Sequence, residues 1–130
     1  MSDAVKVLVL VADDDEGIRD TTAAILRAVG CTVAEAPDGD AALAELAQTA
    51  FDVMILDVRM PVRDGISVVQ SLDPGPPPPG VVLMSAYTAD SELRELLGGR
   101  VCRYLKKPVP PNDLIDALTQ AASFSKAQAL

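Results

Sequence analysis

Short runs rich in apolar residues recur five times along this chain, and that rhythm leaves few architectures open. The runs are Val7–Val11, Cys31–Ala36, Val53–Leu56, Val81–Met84 and Val101–Leu105. Each reads as a strand, and the first and third, apolar throughout, as strands buried in the sheet. Between them, apolar residues recur at helical spacing. Ile18, Thr22, Ile25, Leu26 and Val29 form the first such set, and Ala42, Leu43, Leu46 and Ala47 the second. Ile66, Val69 and Leu72 lie within a third, Asp64–Leu72. Ala89–Leu97 is the fourth segment, and Leu114, Ile115 and Leu118 mark the fifth.

Punctuation agrees with this reading. Gly30 stands where a helix C-cap belongs, Asp38 where an N-cap belongs, and Gly98-Gly99 where a helix should stop. Pro110-Pro111 suits a first helical turn. Five strand–helix units predict a doubly wound α/β fold. Its five-stranded parallel sheet should carry helices on both faces and right-handed crossovers.

The chain has 130 residues, enough for one core and too few for two. Aromatics are only 3% of it, so the core must be aliphatic. We expect one domain over residues 1–122, with 123–130 as a frayed helix end or linker stub. Pro74–Gly80 (PGPPPPG) reads as a stiff connector, the alternative being a polyproline ligand for a partner module.

A net charge of −8 argues against binding nucleic acid, which depends on Lys and Arg neutralising phosphates. Duplex DNA should not be bound specifically by this chain. The longest plain apolar run, Val7–Ala12, is far short of a membrane span, and no signal-peptide pattern precedes it. Cys31 and Cys102 show no metal-type spacing and read as reduced thiols. A cytoplasmic location is expected.

In open parallel sheets, ligands bind beyond the carboxyl ends of the strands. There the first run delivers Asp13, Asp14 and Asp15, the third Asp57, the fourth Ser85 and the fifth Lys107. Crowded carboxylates repel unless a cation compensates them. Mg²⁺ takes hard oxygen ligands and commonly pairs carboxylates with phosphate oxygens. Lys107 offers a point charge and Ser85 a hydroxyl donor. The set suits a phosphoryl group. Singly, an Asp after a strand is usually a turn or helix cap, and Asp15 is read as one. The functional reading rests on four strand ends converging. No glycine-rich dinucleotide turn or Walker loop is present, and the chain has no histidine for zinc-hydrolase or Ser–His–Asp chemistry.

These residues resemble the receiver domain of two-component response regulators over nearly the whole chain. The matching stretches are Val11–Arg19 (VADDDEGIR), Asp57–Gly65 (DVRMPVRDG), Met84–Tyr87 (MSAY) and Tyr104–Pro108 (YLKKP). The resemblance implies a flavodoxin-like (CheY-like) fold with five helices and strand order 2-1-3-4-5. It implies that Asp57 is the phosphoacceptor, serving a sensor histidine kinase or histidine phosphotransfer protein. Asp13 and Asp14 would be the acidic pair around Mg²⁺, with Asp14, Asp57 and the Arg59 carbonyl as direct ligands. Ser85 would hydrogen-bond the phosphoryl group, Lys107 would pair with it, and Tyr104 would be the aromatic switch residue. A cis Lys107–Pro108 bond is also expected. Arg59 and Tyr87 would flank the path of hydrolytic water and lengthen the phosphorylated state.

On this reading the chain is a phosphoacceptor switch that assists its own phosphorylation and dephosphorylation, not a multiple-turnover enzyme. Its output domain or target is unassigned. The sequence departs from the family at Gly98–Arg103, where the usual acidic residue before the tyrosine is absent. Two other functions compete. A degenerate receiver would need a damaged pocket, yet all key positions are filled. An aspartyl-phosphate phosphatase would carry a second Asp two residues after its nucleophile, where this chain has Arg59.

Overall fold

The computed structural model describes residues 7–72, 79–86 and 91–129, with backbone alone at 91–93 and 125–129. Its strands are β1 (Leu8–Ala12), β2 (Thr32–Ala36), β3 (Val53–Asp57), β4 (Gly80–Ser85) and β5 (Val101–Lys106). Its helices are α1 (Glu16–Ala28), α2 (Gly39–Gln48), α3 (Gly65–Gln70), α4 (Ser91–Leu97) and α5 (Pro111–Ala129), with a 3-10 turn over Gly98–Arg100. All strand pairs are parallel, in the order β2-β1-β3-β4-β5. The expected α/β fold and strand order are both found. Each predicted strand lies within a residue or two of its observed bounds.

Alternation along the central strands divides the core in two. Leu10, Ala12, Met54, Leu56, Val81 and Leu83 face α2, α3 and α4, meeting Ala42, Val68, Val69 and Leu97. Val9, Val11, Val53, Ile55, Val82 and Met84 face α1 and α5, meeting Leu26, Leu114, Ala117, Leu118 and Ala121. The central-strand residues on both sides are essentially inaccessible to solvent. At roughly 25 cal/mol per Å² of buried apolar surface, this aliphatic double layer is the main stabilising term. Phe51 is the one aromatic among the fully packed residues.

The caps act as their residue types suggest. Asp15, Asp38 and Asp64 accept from the backbone N–H groups of Ile18, Ala41 and Ser67, starting α1, α2 and α3. Gly30 takes φ +98° after α1 and Gly98 takes φ +58° after α4. Residues 123–129 continue α5 as helix. The polyproline stretch up to Pro78, the expected start of α4 at Ala89 and Asp90, and Tyr87 lie outside the described residues.

Candidate functional site

The strand order reverses between β1 and β3, so the loops after them diverge and leave a crevice at their carboxyl ends. Asp57 is the last residue of β3, and Asp13 follows β1 directly. Asp13 is fully buried and Asp57 is 7% exposed. Asp14 is exposed at the mouth. One carboxylate oxygen from each of the three lies within 4.8 Å of the others.

Lys107 reaches across from the loop after β5. Its Nζ lies 2.7 Å from Asp13 Oδ2 and 3.1 Å from Asp57 Oδ2, bridging the two buried carboxylates. The Lys107–Pro108 peptide bond is cis, as expected. The Lys107 N–H donates to the Ser85 carbonyl at 2.7 Å, fixing the base of that loop to the end of β4. Ser85 is half-buried there, its strand partner being the exposed Lys106.

Backbone geometry holds the acids in place. The Asp13 N–H donates to the Ala36 carbonyl, and the Asp13 carbonyl accepts from Arg19 Nη1 at 2.9 Å. The Asp15 N–H donates to Asp13 Oδ1, and the Arg59 N–H to Asp57 Oδ1 at 3.3 Å. Arg19 also faces Glu35 at 3.5 Å. Its role as a clamp on the acidic loop is not visible in the sequence, where it serves only to align the Asp13-Asp14 pair.

Electrostatically the site is short of positive charge. Burial pushes the Asp57 carboxyl above its ordinary pKa, and the nearby Asp13 adds to this. The hydrogen bond and charge of Lys107 and the Arg59 N–H pull the other way without cancelling it. Burial alone would lower the pKa of Lys107, but its hydrogen bonds to Asp13 and Asp57 outweigh that and raise it. The ammonium therefore stays charged.

A carboxyl whose pKa is raised on folding binds its proton more tightly in the folded state. Stability then falls as pH climbs from the unfolded pKa through the folded one, and the full cost is present at neutral pH. Without divalent ions, Asp57→Asn should raise the melting temperature at neutral pH by about 4 °C. The gain should vanish in acid. Calorimetry of both proteins in a chelating buffer across this range checks it.

The loop from β3 to α3 is tied down on its far side. Arg63 Nε pairs with Asp40 at 2.8 Å, and the Arg63 carbonyl lies where a Cβ on Gly39 would sit. The Gly65 N–H donates to the Val58 carbonyl. Between these ties Val62 is forced to φ +69°, with its side chain 77% exposed. A β-branched residue in this region is strained by roughly 1–2 kcal/mol, and exposure leaves little packing to offset that. Val62→Asn should stabilise the fold by about 1 kcal/mol, seen as a melting temperature several degrees higher.

Tyr104 sits on β5 opposite Leu83 and packs against the core under α2–α4. Its hydroxyl is buried and has no hydrogen-bond partner among the described residues. Burial raises its pKa, against the lowering charge of Arg94. The Arg94 guanidinium lies 4.6 Å from the ring centroid. A switch residue of this kind is expected to rotate inward on modification; here the ring already packs inward. Arg59 is exposed at the pocket rim.

Fold and site together define a flavodoxin-like α/β domain whose sheet edge carries a carboxylate–lysine pocket. Residues 9–119 match the response regulator receiver domain, and the chain belongs to that family of two-component signalling domains. It is 31% identical over 121 residues to the transcriptional regulatory protein ZraR of Salmonella typhimurium, covering 93% of this chain and 27% of that protein. The chain thus spans about a quarter of the length of that relative. Among solved structures, the chemotaxis response regulator CheY4 of Vibrio cholerae aligns with a TM-score of 0.78 at 28% identity, covering 90% of this chain and 99% of that one. A CheY-like receiver domain protein from Methanospirillum hungatei aligns at 0.83 and 25% identity, covering 95% and 99%. Among the described residues, no helix is long and apolar enough to cross a membrane.

Proposed function

We propose that Asp57 accepts a phosphoryl group from a phosphohistidine on a sensor histidine kinase or phosphotransfer protein. The observation that carries this reading is the Lys107 ammonium bridging two buried carboxylates, with a third at the mouth. An Asp57 oxygen attacks phosphorus in line. The new O–P bond forms as the P–N bond to the donor histidine breaks, and the imidazole leaves with the electron pair. Lys107 is close enough to swing from Asp57 to a phosphoryl oxygen, and the Ser85 hydroxyl donates to another.

An oxygen-only donor set with three carboxylates and one ammonium fits Mg²⁺. Asp14, Asp57 and the Arg59 carbonyl would hold the ion directly, and Asp13 would support it. When bound, the ion offsets charge on the phosphoryl oxygens. Burial, with a smaller addition from Asp13, raises the Asp57 pKa, and a bound cation would offset both.

The output surface is the face formed by α4, β5 and α5. Modification draws Ser85 and its loop toward the phosphoryl group and favours the packed-in position of Tyr104. With that ring already inward, phosphorylation shifts an existing equilibrium rather than building a new arrangement. Residues 1–122 form the switch, with 123–130 as its tail. The setting is cytoplasmic, and the domain acts as a switch rather than a multiple-turnover enzyme.

Incubating the chain with acetyl phosphate and Mg²⁺, then weighing it by mass spectrometry, tests the reading. One phosphoryl addition that disappears with chelator is the expected result. Persistent turnover of a chromogenic phosphate ester would instead favour a phosphatase.

Lifetime is a separate expectation. Arg59 and Tyr87 are large residues two positions after Asp57 and two after Ser85, the sequence positions that the resemblance sets beside the in-line water, and Arg59 has no acceptor to orient it. The Arg59→Asn, Tyr87→Ala double variant should lose its phosphoryl group about tenfold faster than the wild type. Equal decay rates would show that occlusion does not control lifetime.

A further inference from the structure

Five of the chain's eleven basic residues lie between positions 94 and 107, against one acid, Glu95. This segment is net +4 in a chain of net −8. It builds the end of α4, the 3-10 turn and β5, which closes the sheet and has no strand on its outer side among the described residues. Lys107 is committed to the pocket. The other four surround the open edge. Arg94 lies on the Tyr104 ring, on the α4 side. Arg100 donates to the Val69 carbonyl near the end of α3. Arg103 reaches the opposite side, donating to Gln120 of α5 at 3.0 Å. Lys106 is exposed at the end of the strand.

None of these four has a carboxylate within ion-pair distance among the described residues. Arg19, Arg27 and Arg63 elsewhere all do. Arg19, Arg27, Arg63 and Lys107 are thus each matched by a carboxylate, and the four cations around this edge are not, among the described residues.

We propose that the β5 edge docks an acidic polypeptide segment, gripped by Arg94, Arg103 and Lys106. This rests on reading the α4–β5–α5 face as the output surface and assigns that surface its partner chemistry. Charge complementarity selects the partner, and the open strand edge offers backbone N–H and C=O groups to an extended chain. A second copy presents the same cations and only Glu95 within the segment to meet them, so a symmetric contact satisfies them less fully than an acidic segment does. Nucleic acid extends its phosphates beyond the rim, over a surface that carries the remaining negative charge. Because Arg94 rests on Tyr104, movement of the switch ring moves one of the three gripping cations. Partner affinity is thereby coupled to the state of the pocket.

Selecting a random peptide display library on the intact chain tests the proposal. Captured sequences should be rich in Asp and Glu. Their binding should fall at least about tenfold in the Arg94→Ala, Arg103→Ala, Lys106→Ala variant and persist in Arg27→Ala. Arg100 is left in place because it holds α3. Neutral or basic captured peptides, or acidic ones that tolerate the triple variant, overturn the proposal. So does an oligothymidylate that binds the rim more tightly than the peptides. Self-association that the triple variant abolishes overturns it too, because the edge would then belong to a second copy. Phosphoryl uptake at Asp57, weighed on the same proteins, separates the two readings. Intact uptake with failed capture removes only the docking surface, while failed uptake removes the phosphoacceptor reading.

Discussion

Asp57→Asn should reduce phosphoryl uptake from acetyl phosphate by at least about a thousandfold, because it removes the nucleophile itself. The substitution keeps the shape of the side chain and its hydrogen bond from Arg59. The variant should also be slightly more stable, so misfolding cannot explain the loss. Lys107→Met should cost about a hundredfold, the usual effect of deleting one preorganised charge aimed at a reacting group. It also leaves Asp13 and Asp57 facing each other without their shared ammonium. Quantifying phosphoprotein against time, with Mg²⁺ present, reads both effects. Full uptake by Asp57→Asn would place the acceptor elsewhere.

Much of this site is legible in the order of residues along the chain. Strands betray themselves because both faces of the sheet are covered, which turns Val53–Leu56 and Val81–Met84 into unbroken apolar runs. A polar residue ending such a run must lie at a strand end, and parallel strands put those ends on one side. That geometry brings Asp13–Asp15, Asp57, Ser85 and Lys107 to one edge, and the family resemblance then singles out Asp13 and Asp14 from the three adjacent acids. What stays hidden depends on contacts between distant residues. Nothing local marks Val62 for φ +69°; the ties of Arg63 to Asp40 and of Gly65 to Val58 impose it. Arg100 looks like a departure from the family pattern, and only folding shows it capping carbonyls of α3. Gly39 and Gly80 read as ordinary loop glycines, yet each lies against backbone from another part of the chain.

Gly80→Ala should be among the most damaging single methyls at the described glycines. A Cβ there would lie 2.1 Å from the Ala121 carbonyl oxygen and 2.6 Å from its carbon. Both atoms are backbone, on a helix packed against the sheet, so no rotamer change relieves the clash. We expect a loss of about 3 kcal/mol and a melting temperature lower by roughly 10 °C. Ala121→Gly should not rescue it, since the carbonyl remains. Gly99→Ala is the control: nothing lies within 4 Å of its added methyl, and the change should stay within about 0.5 kcal/mol. Thermal melts of the three variants decide the matter, and a Gly80→Ala protein that melts with the wild type would mean that α5 can lift from β4 at little cost.

The break in pairing between β4 and β5 has a use of its own. Val81 pairs with Val101, but Val82 pairs with Arg103, so Cys102 is an extra residue without an opposite number. Beyond it the ladder resumes, Leu83 against Tyr104 and Ser85 against Lys106. One added residue in an unbroken strand would turn each later side chain to the other face. Here the bulge absorbs it, so Tyr104 keeps its place under α4 and Lys107 still arrives at the acids. The phase of Tyr104 and Lys107 is therefore set by the pairing beyond Cys102 and not by the count of residues back to the 3-10 turn, so the extra residue costs the pocket nothing.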